Sequence, residues 1–151
     1  MRAVLLIAGL CGLASQALSA QLVRQRDPEP LERPKPIATI GSASLREALT
    51  QLQGVLTARG FTTVSVDWDR GEISAIKRDA PGSEKSDHIL LWLERDPVKP
   101  AERALVHFQW GRFEPFFGST EGPVRVKAWP EELARGVAVQ DSLVAFAVSR
   151  P

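Results

Sequence analysis

Three carboxylates crowd one glycine in VSVDWDRGEISAI, residues 64–76: Asp67, Asp69 and Glu72 surround Gly71. Oxygen-rich segments like this hold calcium when a loop supplies ligands at alternating positions. With Asp67 at the first position of such a loop, Glu72 falls sixth, where a glycine is required. Arg78 falls twelfth, a cation where a bidentate glutamate belongs. The segment instead suits a β-hairpin. Pairing Trp68 with Ile73 and Val66 with Ala75 sets Val64, Val66 and Trp68 on one face and Arg70-Gly71 at the turn. Gly71 then supplies the positive φ, and Asp67 and Asp69 stay solvated.

The histidines are the second chemical candidate. Pairing Glu94 with Arg103 puts Trp92 opposite Leu105, Leu90 opposite His107 and His88 opposite Gln109, so His88 and His107 become diagonal neighbours. A structural zinc site uses four ligands and a catalytic one usually three, and nothing forces a third ligand beside the two histidines, Glu94 and Asp87 being the only possibilities. Both are therefore expected to be surface residues. A small periplasmic enzyme or metal-binding protein centred on His88 and His107 is the alternative. No nucleophile elbow, phosphate loop, dinucleotide fingerprint or zinc-protease motif occurs. No catalytic, metal-ligating or cofactor-binding residue is assigned, and no cofactor is expected.

The elements that must position these residues follow from periodicity. Ser44 with Glu47 has capping-box spacing, and Leu45, Leu49, Leu52 and Leu56 recur at helical spacing up to Arg59 and Gly60. Alternation then predicts strands over 61–68, 72–79, 88–95, 103–112 and 124–129, with a loop at 79–87. The last segment, EELARGVAVQDSLVAFAVSRP, predicts a helix weakened at Gly136, with Leu133, Val137, Leu143, Val144 and Ala147 inward; a strand over 143–148 competes. Helix, about five strands, helix is an α+β order, best satisfied by an antiparallel sheet with both helices on one face.

The start of the chain bounds its destination. Arg2, the apolar run from Val4 to Leu13 and the small residues before Gln21 have the layout of a signal peptide over residues 1–20. Cys11 lies inside the apolar run after Leu10, so lipid anchoring is not expected, and its removal leaves no cysteine for disulfides or thiol chemistry. Without residues 1–20, Lys+Arg and Asp+Glu both number 18, a neutral balance that points away from nucleic acid. Residues 21–41 carry Pro28, Pro30, Pro34 and Pro36 among charges and suggest an extended tether, leaving 42–151 as a single domain. The expected compartment is periplasmic or extracellular, with no transmembrane segment in the mature chain.

The two hairpin faces differ in character. Ile89, Leu91, Leu93, Ala104, Val106, Phe108 and Trp110 share one apolar face, which should meet the helices. The opposite face is mixed and carries Leu90, Trp92 and Leu105. Those three, with Phe113, Phe116 and Phe117 of GRFEPFFGST, are the candidate partner-binding residues.

The succession of Leu45, Leu49 and Leu52, then Gly60-Phe61, Val64, Asp67, Gly71 and Ile73, resembles the helix-grip domains of the BamC-like envelope proteins. That resemblance implies a non-catalytic envelope domain that binds protein partners. The expected function is an exported accessory or protein-binding module, in outer-membrane or secretion-system assembly, whose partner is another envelope or secreted protein. An inhibitor or immunity-type protein is a further alternative.

Overall fold

The computed structural model describes residues 24–28, 32–42, 44–116 and 119–150. Residues 1–20, where a signal peptide is expected, and Phe117 lie outside the described residues.

Ser44 caps the first helix, its hydroxyl accepting the Glu47 N–H, and α1 runs Leu45–Ala58. Gly60, at φ +82°, lets the chain leave it. The strands are β1 (Ala38–Gly41), β2 (Thr62–Asp67), β3 (Glu72–Arg78), β4 (Ser86–Arg95), β5 (Arg103–Glu114) and β6 (Val124–Val126), and the chain closes with α2 (Pro130–Val148). The fold is α+β, with an antiparallel sheet ordered β1-β5-β4-β3-β2 and β6 also paired to β5.

Both helices pack on one face. Leu49, Leu52 and Leu56 of α1 and Val139, Leu143 and Ala147 of α2 meet Ile73, Ile89, Leu91, Leu93, Val106 and Phe108 of the sheet. Period-2 alternation thus assigns the inward face of the β4–β5 hairpin as expected.

Four expectations need correction. The tether contributes a strand: Ala38–Gly41 pairs with β5, because Ile40 is fully buried and the Ile37 N–H reaches the Val106 carbonyl. The β4–β5 register lies two residues from the expected one, with Glu94 opposite Leu105, Trp92 opposite His107, Leu90 opposite Gln109 and His88 opposite Gly111. The cause is a shorter loop, since the Asp96 N–H bonds the Arg103 carbonyl and carries the ladder further towards the turn. An even slip leaves every side chain on its face.

At the first hairpin, Val66 opposes Ile73 and Asp67 opposes Glu72, with a bulge at Val64. The Asp67 carboxylate accepts the N–H groups of Asp69 and Arg70, so the turn closes one residue earlier and Trp68 falls outside the core. Gly71 has the expected positive φ, +67°. In α2 the buried stripe is Glu132, Gly136, Val139, Leu143 and Ala147, whereas Leu133 and Val137 are 51% and 56% exposed. The helix is rotated to bring Gly136 against the Trp110 ring.

Candidate functional site

The sheet face away from the helices is built rung by rung across β3, β4 and β5. Glu72, Trp92 and His107 form one rung; Ser74, Leu90 and Gln109 the next; then Ile76, His88 and Gly111; then Arg78, Ser86 and Phe113. Strand pairing alone sets this array, because every second residue must point outward.

Leu90 is exposed at its centre, 39% accessible, and Leu105 is half-buried near one end. Phe113 stacks on His88, ring centroids 3.9 Å apart. Gly111 leaves room beside them for Arg125: a Cβ there would sit 3.2 Å from Arg125 Nε and 3.3 Å from the Phe113 ring. Around this pair the surface dips into open depressions. One of about 410 Å³ is lined by Ser74, His88, Leu90, Gln109, Phe113 and Arg125. A second, of about 420 Å³, runs from Ile76 and Arg78 past His88 to Pro123. A third, of about 600 Å³, continues along Phe113 and Arg125 to Arg26.

Trp92 was expected on this surface and is buried there, 3% accessible. His107 stacks on it at 5.1 Å, and Arg33 from the proline-rich segment lies over its ring. Phe116 is half-buried beyond the end of β5.

The histidines are not neighbours. A full rung, Leu90 with Gln109, separates them. His88 Nε2 lies 2.9 Å from Ser86 Oγ, and burial pushes the His88 pKa below its ordinary 6.5, so the ring is neutral at pH 7. A serine beside a neutral imidazole has the parts of a nucleophile and base. Ser86, however, is buried with its hydroxyl committed to the ring. His107 Nδ1 donates to the Pro34 carbonyl at 3.0 Å. Among the described residues, no group of three or more histidines, cysteines or carboxylates converges as a metal site.

Charge is concentrated on the opposite, helix-facing side. Arg112 is buried and reaches Asp79, Asp87, Glu114 and Glu132. Arg24 bridges Glu114 and Glu132, each at 2.6 Å, and Arg135 meets Asp87 at 3.1 Å. The Arg112 guanidinium holds Asp79 below its ordinary range. Burial raises Asp87 against the pull of Arg135 and Arg112. Burial also works to raise Glu132, but hydrogen bonds from Arg24 and the Trp129 N–H outweigh it and the group ends below its ordinary value. This cluster takes the place of an apolar core where β5 passes under the start of α2. Sequence reading missed it, although Asp87 and Arg112 carry the same strand parity as the buried Ile89 and the partly buried Trp110.

No protein-family model matches the chain, and no curated protein matches it either. Among the described residues no helix is long and apolar enough to cross a membrane.

Proposed function

We propose that this chain is an exported, non-catalytic envelope protein that binds a protein partner through the outer face of its sheet, as its resemblance to BamC-like helix-grip domains implies. The observation that carries the proposal is the exposed middle of the outer face: both helices pack on the other side of the sheet, and among the described residues Leu90 stands exposed among open depressions around His88 and Phe113. Broad, open surfaces of mixed polarity suit protein partners, whereas small ligands favour enclosed apolar clefts.

Leu90→Asp tests the proposal, because it places a charge in the centre of that face without touching the core. Tagged mature protein and the Leu90→Asp variant would be compared in affinity capture from envelope extract, with melting temperature as the folding control. A protein retained by the parent and lost by an equally stable variant supports the proposal. Identical retention by both, or none by either, overturns it.

A further inference from the structure

Arg33 occupies a seat built for a guanidinium. Its Cζ lies 5.5 Å from the centroid of the Trp92 ring, Nη1 lies 3.3 Å from Glu94 Oε1, and Nη2 lies 3.7 Å from Glu72 Oε1. Trp92 makes the floor, and the carboxylates are walls on adjacent strands, Glu72 directly opposite Trp92 and Glu94 two residues beyond it. A planar cation over an indole, with carboxylates at its rim, is how arginine is preferred over lysine. One residue further, the Pro34 carbonyl accepts the His107 Nδ1–H, so the face holds the backbone as well as the charge. Proline also keeps the residue before it extended, which projects the arginine and the carbonyl toward separate partners.

The contact is held loosely at its charged end. The Arg33 side chain is 66% exposed, and exposed ion pairs add little net stability. Glu94 also lies 3.3 Å from His107 Nε2, poorly aligned for a hydrogen bond, so the carboxylate stays available to a guanidinium.

We propose that Trp92, Glu72, Glu94 and His107 form a recognition site for an arginine followed by proline on an extended segment of a partner protein, with Arg33-Pro34 as a displaceable ligand supplied in cis. The chain's own segment seated there defines the chemistry, and the paired carboxylates define the charge. The inference rests on the outer face being the partner surface and adds what that partner presents. Tethered so close, Arg33 competes at high effective concentration, so an outside arginine gains the site when Arg33 is removed.

The probe is the capped peptide Glu-Arg-Pro-Lys-Pro, residues 32–36 of this chain, with a counterpart carrying citrulline for arginine. Each is titrated into the full mature chain and its Arg33→Ala variant while the Trp92 indole resonance, assigned with Trp92→Phe, is followed by NMR. The arginine peptide is expected to bind Arg33→Ala at least about tenfold more tightly than the parent, the parent's own ligand being the competitor. Citrulline should abolish the shift, Glu72→Gln with Glu94→Gln in the same background should remove it, and salt should weaken it. Equal response to both peptides, or no response of Arg33→Ala at millimolar peptide, overturns the proposal. Dimerisation of the parent that Arg33→Ala abolishes also overturns it, by making a second copy the occupant. Leu90→Asp leaves this seat intact, so its result and the peptide result fail separately.

Discussion

Gly136 and Gly54 both lie inside helices, and alanine should move the protein in opposite directions at the two positions. A Cβ on Gly136 would lie 2.9 Å from Cδ2 of Trp110, whereas one on Gly54 meets nothing within 4 Å. Alanine gains up to about 1 kcal/mol of helix propensity at either site. Overpacking costs about 1–3 kcal/mol, so Gly136→Ala should lose stability in urea denaturation while Gly54→Ala gains it. If both stabilise, the Trp110 ring has room to yield. Gly136 looked in the sequence like a weak point of a helix. Its role as a contact appears only when β5 lies across it. Leu90 and Leu105 were legible as outward residues because strand parity is local. The burial of Trp92 was not, because its cover, Arg33, also bonds Glu94 across 61 residues of sequence.

The elements were legible wherever a period ran long. The α1 leucines, the Ser44 cap and the inward faces of β4 and β5 needed only spacing. Register is a different matter: an even slip preserves every face, so hydrophobic pattern cannot separate the expected β4–β5 pairing from the observed one. The charged cluster joins β4, β5 and α2, and acid should loosen that junction. Asp79 and Glu132 are held below their ordinary values of 3.8 and 4.5, so the stability they contribute is full above those values. It is lost as pH falls from there through their lower folded values. Asp87 is raised in the folded protein, which has the opposite sign: its penalty sets in as pH rises above 3.8 through its folded value and is relieved on acidification. Chemical denaturation from pH 7 to pH 2 should show a steep loss of stability in the parent below about pH 4.5 and a shallower one in Asp79→Asn. An unchanged acid limb in Asp79→Asn would show that the Asp79–Arg112 pair contributes nothing. Arg112→Met strands several carboxylates in a buried site and should cost about 3–5 kcal/mol at pH 7, read by the same denaturation.

Across the whole molecule, the N-terminal segment is a structural component. Residues 24–28 lie beside β6, where the Lys127 N–H meets the Gln25 carbonyl and the Asp27 N–H meets the Arg125 carbonyl. Arg24 then inserts between Glu114 and Glu132 and also covers the Trp129 ring. Arg24→Ala leaves two largely buried carboxylates short of a cation and should destabilise the fold by about 1–3 kcal/mol. Hydrogen exchange should show faster exchange of the Asp27 and Lys127 amides in that variant. Protection equal to the parent would mean that the backbone pairing, and not Arg24, seats the segment.

Proline and charge density made this segment look like a spacer, since composition records the scarcity of apolar side chains but not the partners that charges find elsewhere. The amino-acid sequence by itself determined the α+β order, the cap of α1, the positive φ at Gly71 and the inward and outward faces of the central hairpin. All of these are local consequences of period, turn chemistry and steric freedom. Only the tertiary structure decided the strand registers, the rotation of α2, the separation of the two histidines and the seat of Arg33 over Trp92. Each depends on contacts between residues far apart in the chain, and the energies that choose among them are sums over packed neighbours that no short stretch of sequence contains.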